Sequence, residues 1–221
     1  IFNKKKAPAP DPQWAVTICF SQPYGVNRAR NQGVSRARGE YLLFLDDDCE
    51  LPTSDHLQKL VELHQKYPQQ VSLGGPYTLP PTASPLDHSY YEISQQWLQR
   101  NFLDSTHTTV LLGGNSSYKK KIFQDDITFP PQIKYGGSET PLNALVLKKY
   151  GPHLWEADLA VLHYSQLTLW TFLKKAFWQG RGAGYMHQQY GHNHSPYKQS
   201  VKYDQRSLDT KCIYECLFFV G

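Results

Sequence analysis

Apolar positions along the chain fall into short unbroken runs separated by longer stretches of helical period. Residues 14–20 and 40–45 read as buried strands, and between them residues 27–37 recur at helical spacing and stop at Gly39. Thr53 or Ser54 is placed to cap a helix running to about Tyr67. Residues 71–77 then read as a strand with paired glycines, Gly74 and Gly75, and residues 80–85 as a loop. Aromatic residues at helical spacing predict a helix over 90–102, and 109–112 predicts a strand leading into Gly113-Gly114-Asn115. Ser138 is placed to cap a helix through about Lys149, with Pro141 tolerated in its first turn and Gly151-Pro152 as its stop. Residues 157–163 read as a buried strand and 167–179 as an amphipathic helix, while 181–198 shows no clear period. The Lys- and Pro-rich residues 1–12 read as a loop or linker.

Strands and helices in alternation predict an α/β domain, and 221 residues suffice to bury one sizeable core. With 40% hydrophobic and 19% charged residues the chain has an ordinary globular balance, so no disordered or fibrous class is called for. A formal charge of +4 with scattered lysines makes nucleic acid a poor candidate partner. The runs Lys4–Lys6 and Lys119–Lys121 could touch a membrane surface or phosphate, although short charge runs are more often solvated faces. Cys19, Cys49, Cys212 and Cys216 form no CxxC pair and read as free thiols of a reducing compartment. No apolar span of membrane length is visible, which predicts a soluble or peripheral protein, cytoplasmic or at the inner face of a membrane. The apolar stretch 216–221 could mark a membrane-proximal segment.

The most informative chemistry is Asp46-Asp47-Asp48, directly after the apolar run 40–45. Three adjacent carboxylates cannot share a dry core, and ligands of open α/β sheets collect at the carboxyl ends of strands. A hard divalent cation bridging substrate phosphates accounts for the cluster, and by itself a solvated acidic turn accounts for it as well.

Upstream context separates those readings. Gly25, Ala29, Arg30, Asn31 and Gly33, followed by Gly39-Glu40-Tyr41 and Phe44-Leu45-Asp46-Asp47-Asp48, closely resemble the nucleotide-sugar-binding core of the family 2 glycosyltransferases with the GT-A fold. Downstream, Gly113-Gly114-Asn115 resembles the family segment that shapes the acceptor side, and Gly136-Gly137-Ser138-Glu139 resembles the segment carrying the general base. Ser138 and Pro141 depart from the acidic residues usual there.

The resemblance implies a mixed, mainly parallel sheet flanked by helices. The family's two opening strands and helix are not found ahead of Trp14, so a domain lacking its N-terminal part is expected: residues 1–13 a linker, 14–185 the partial domain, 186–221 a C-terminal extension. It further implies transfer of a sugar from a nucleoside-diphosphate sugar to an acceptor hydroxyl with inversion, assisted by Mn2+ or Mg2+, in polysaccharide or cell-envelope glycan synthesis. The acceptor class stays open among glycan, lipid-linked and protein hydroxyls. Carried over position by position, Asp48 and His163 would hold the metal, Arg30, Asn31, Asp46, Asp47 and Arg181 the nucleotide sugar, Gly114 and Asn115 would face the acceptor, and Glu139 would be the base. His187, His192 and His194 are spaced too loosely for a metal site. The 15 tyrosines and 5 tryptophans suit stacking on sugar faces, though most must be core. Two other classes stay open: a metal-dependent phosphoesterase or nucleotidyltransferase, and a non-catalytic nucleotide-sugar-binding module.

Overall fold

A computed structural model of the chain describes residues 25–133 and 138–190. The expected strand at 14–20, the linker before it, Gly136, Gly137 and residues 191–221 lie outside the described residues. Helix α1 (Val26–Arg36) leaves Gly25 at φ 82°, a left-handed value that glycine takes without a Cβ clash. Strand β1 (Tyr41–Leu45) follows it. Tyr41 and Leu43 pack against the buried cluster that includes Leu60 of α2 (His56–Lys66), while Phe44 packs against Tyr118, Phe129 and Phe123 of the short helix α4 (Lys121–Gln124). Both faces of β1 are covered, which is why its sequence is continuously apolar.

β1 heads a five-stranded sheet in the order β1-β6-β3-β7-β5, with β3 at Ser72–Gly74, β5 at His107–Thr108, β6 at Asn115–Lys119 and β7 at His153–Trp155. β3 and β7 run parallel, and the β1–β6, β3–β6 and β5–β7 pairs antiparallel. Helices flank this mixed sheet, as the α/β class requires. A second, three-stranded sheet has the order β2-β8-β4, formed by Cys49–Glu50, Val161–His163 and Tyr77–Thr78. None of the described helices is long and apolar enough to cross a membrane.

Several elements differ from the sequence reading, each for a local reason. The run 71–77 is two strands, because the chain leaves the large sheet at Gly75-Pro76 and joins the small one as β4. A Cβ on Gly75 would overlap the Leu159 carbonyl and stand 2.7 Å from the Glu156 oxygen, both immobile backbone atoms. Gly75→Ala is therefore expected to cost about 1–3 kcal/mol, read as a fall in the urea midpoint at unchanged m; an unaltered midpoint would show that this elbow yields freely.

The expected strand at 109–112 is a buried segment without ladder pairing, and the strand lies at Asn115–Lys119. Its polar sequence, NSSYK, is buried throughout because neighbours satisfy it: Ser117 Oγ lies 2.9 Å from His64 Nε2, and Tyr118 donates to Asn143 Oδ1 at 2.9 Å. Strand β7 had no apolar run to announce it. Of residues 157–163 only Val161–His163 is strand, after a 3-10 turn at Ala157–Leu159.

Helix starts shift as well. α3 (Pro85–Gln99) begins five residues before position 90, set by a reciprocal capping box between Ser84 and Asp87. The N-cap of α2 is Asp55 in place of Thr53 or Ser54, and that of α5 (Thr140–Tyr150) is Glu139 in place of Ser138. α6 (Leu169–Tyr190) continues through Gly180, Gly182 and Gly184, since each glycine costs a helix only about 1 kcal/mol relative to alanine.

Candidate functional site

The site forms where β1 ends. In the β1–β6 register Leu45 faces Asn115, so the next residue on one strand, Asp46, meets the preceding residue on the other, Gly114. No side chain fits at Gly114: a Cβ would overlap the Asp46 carboxylate and stand 2.7 Å from the Tyr77 hydroxyl. That hydroxyl accepts the Gly114 N–H at 2.8 Å. Gly113 is enclosed less tightly: a Cβ there would stand 3.0 Å from an Arg30 guanidinium nitrogen and 3.1 Å from Glu139 Oε2, side-chain ends that can give by a few tenths of an ångström.

Arg30 is the hub. One guanidinium nitrogen donates to Asp46 Oδ1 and to the Gly113 carbonyl, each at 3.0 Å, and the other to Ser138 Oγ at 3.3 Å. Ser138 Oγ in turn donates to Glu139 Oε2 at 3.2 Å. A continuous chain of polar contacts, Asp46 to Arg30 to Ser138 to Glu139, thus spans the two glycines. The Arg30 side chain is only 10% exposed against 36% for Asp46, so the pair opens to solvent on the carboxylate side.

α1 is fixed in register by its amides. Asn27 is fully buried and donates to the carbonyls of Pro130 and Ser138 at 2.9 Å each. Asn31 donates to the Phe129 carbonyl at 2.7 Å and accepts its N–H at 3.1 Å. Asn31 is thereby engaged with protein backbone, and what it contributes to the site is the placement of Arg30 one residue before it. Asn115 is also turned inward, donating to the Leu159 carbonyl at 2.7 Å and the Pro76 carbonyl at 3.3 Å.

A second group assembles through the small sheet. Cys49 of β2 is the direct partner of His163 of β8, which carries the end of the Asp triplet to a residue more than a hundred positions away. Asp48 Oδ2 lies 3.4 Å from His163 Nε2, and one donor atom each from Asp48, Cys49 and His163 all fall within 4.8 Å of one another. The other ring nitrogen of His163, Nδ1, lies 3.0 Å from Ser165 Oγ, and the ring stacks on Tyr77 with centroids 4.5 Å apart. Carboxylate oxygen and imidazole nitrogen suit Mn2+ well and Mg2+ less well.

Charge is balanced around this group. Burial opposes ionisation of Asp48, but the His163 hydrogen bond and attraction, with the Lys175 ammonium, outweigh it and hold the carboxyl below its ordinary value. The Cys49 thiol is pushed up to about 12, by burial first and then by Asp46 and Asp48. Burial, followed by the Asp46 charge, lifts the Tyr77 phenol far above its usual range, so it stays a neutral hydroxyl.

Not every residue singled out in the sequence joins these groups. Asp47 is exposed, and Arg181 is exposed with its guanidinium 5.7 Å from the Trp178 ring. His192 and His194 lie outside the described residues. Conversely, Tyr77 and Ser138 were not anticipated as site residues. Neither has a signature beyond its place after Gly-Gly-Pro or before Glu139, and their roles come from tertiary contacts.

The sequence model of the family described as "Glycosyl transferase family 2" matches residues 12–126. Among solved structures the fold is similar to a mannosyltransferase from Pyrobaculum calidifontis in complex with GDP-Man and Mn2+, with TM-score 0.54 and 14% identity over 77% of this chain and 46% of that one. It is likewise similar to GalNAc-T7 with UDP, GalNAc and Mn2+, with TM-score 0.50 and 15% identity over 73% of this chain and 35% of that one. At such identities the likeness concerns the fold, and the chain spans less than half the length of each of these structures. No curated protein sequence matches significantly.

Proposed function

Because the chain belongs to glycosyl transferase family 2, we propose that it moves a sugar from a nucleoside-diphosphate donor to an acceptor hydroxyl with inversion at the anomeric carbon. The observation that carries this reading is the polar chain from Asp46 through Arg30 and Ser138 to Glu139, with Asp48 and His163 beside it. Asp48 and His163 would hold a divalent cation, Mn2+ by their donor chemistry and by the ion named with both similar structures. The chemistry such a cation supplies when bound is neutralisation of charge on the departing diphosphate.

The chain's own groups divide the remaining work. Asp46 faces the ribose and sugar, held in orientation by its hydrogen bond from Arg30 and by the absence of a side chain at Gly114. Arg30 meanwhile keeps a positive charge between Asp46 and Glu139, so the two carboxylates do not repel across the gap. Glu139, aligned through Ser138, takes the proton from the acceptor hydroxyl as that oxygen attacks C1 and the bond to the diphosphate breaks on the opposite face. Gly113, where a side chain would crowd the Arg30 and Glu139 groups, lets backbone approach the sugar closely.

Isothermal titration of UDP, GDP and dTDP, with and without Mn2+, tests the donor half. One of the three is expected to bind in a Mn2+-dependent manner, and Asp48→Ala to weaken that binding at least about tenfold. Equal binding by the variant, or none with any nucleotide, would overturn the reading; nucleotide-sugar binding without turnover of any acceptor would favour a binding module instead.

A further inference from the structure

We infer that the outward face of α6 is a docking surface for an anionic lipid membrane, with the helix lying along the bilayer surface. Trp170, Lys174, Phe177 and Arg181 follow one another at helical spacing, which places all four on a single stripe. All four are exposed, Trp170 at 74% and Phe177 at 38%, and Leu169 beside them at 59%. Three of the seven large apolar side chains exposed among the described residues thus fall within one short stretch of one helix, where scattered surface residues would not gather. The opposite face of α6 is already committed. Phe172 and Ala176 are fully buried in a cluster that includes Tyr90 and Ile93 of α3, and Gln179 donates to the Tyr90 hydroxyl at 2.8 Å. The stripe therefore points away from the protein.

Charge selects the occupant. α6 carries Lys174, Lys175 and Arg181 and no acidic residue, and among the described residues neither Lys174 nor Arg181 forms an ion pair. A protein groove that received Trp170 and Phe177 would have to bury the Lys174 ammonium between them, at a desolvation cost. A layer of lipid headgroups imposes no such cost: aromatic rings settle at the boundary with the acyl chains, and long basic side chains reach the phosphates. From Trp170 to Arg181 the stripe runs about 16 Å along the helix axis, so its anchors and charges alternate over a line of headgroups. With 22 residues α6 has the length to cross a bilayer, but none of the described helices is both long and apolar enough to do so. Lying in the interface is the mode that this pattern fits.

Flotation of the chain with lipid vesicles tests the surface, one set made of phosphatidylcholine alone and one with phosphatidylglycerol at about 30%. The chain is expected to float with the anionic vesicles only, and to be released by salt as the charges are screened. Two double variants, Trp170→Ala with Phe177→Ala and Lys174→Gln with Arg181→Gln, should each weaken partitioning at least about tenfold. All four positions are exposed, so the urea midpoint of both variants should match the parent's. Undiminished flotation of either variant, as the runs Lys4–Lys6 or Lys119–Lys121 alone would give, would overturn the proposal. Equal binding to the neutral vesicles, or no flotation at all, would do the same; a dimer dissociated by Trp170→Ala in place of flotation would make a second copy of the chain the occupant. The vesicle result is independent of sugar transfer, since it would persist in a chain that binds no nucleoside diphosphate.

Discussion

Glu139→Gln is expected to slow sugar transfer by about 100- to 10,000-fold while leaving nucleotide binding unchanged, which is the range that a positioned general base contributes. The substitution keeps the shape of the side chain and its hydrogen-bonding capacity toward Ser138, so the Asp46–Arg30–Ser138 chain survives. What it removes is the ability to accept a proton from the acceptor oxygen. The measurement is the initial rate of nucleoside diphosphate release in the presence of acceptor, paired with a nucleotide titration of the same protein. A rate within a few-fold of the parent would remove Glu139 from the reaction. A combined loss of rate and binding would instead mean that Glu139 holds Arg30 in place.

Acid should destabilise the fold well above the pH at which its carboxylates protonate. His64 and His153 are buried at 1% and 0% exposure, and burial lowers both rings to about 4. For His64 the Lys119 ammonium adds to the effect; for His153 backbone hydrogen bonding at Asn143 and Thr109 recovers part of it. In the unfolded chain each ring takes up its proton near pH 6.5. Between about 6.5 and 4 the unfolded state thus binds more protons than the folded one, and stability falls as pH falls. From about pH 7 to pH 5 the loss is about 2 kcal/mol for each ring. His56, also lowered by burial first, adds in the same direction. Urea unfolding at the two pH values reads the loss, and His64→Gln should diminish it by one ring's share. Equal stability at pH 7 and pH 5 would show that these rings are not buried neutral.

Much of the fold was legible because its central elements carry undiluted signals. The run 40–45 is apolar on both faces, so β1 follows from burial alone, whereas the three carboxylates at its end read as a ligand site only through the resemblance of the residues around them. The spacing of Gly25, Arg30 and Asn31 placed α1, although the role of Asn31 as a backbone clamp emerges only from its contact with Phe129. β6 was shifted in the reading because its polar residues are satisfied by partners far away in sequence, notably His64 and Asn143. A hydropathy pattern cannot register such pairs. β7 and the small sheet are too short to show a period of two, and that sheet is what joins Cys49 to His163. The Asp48–His163 pair was anticipated from resemblance; the thiol beside it was not.

Tyr77 shows what the small sheet makes of the site as a whole. Its ring lies flat on His163, and its hydroxyl holds the Gly114 amide beside Asp46. One rigid side chain therefore fixes the distance between the Asp48–His163 corner and the Asp46–Gly114 corner, and neither can drift without carrying the other. Under the function proposed above, the separation that a diphosphate and its sugar would bridge is set in advance by the length of a phenol ring.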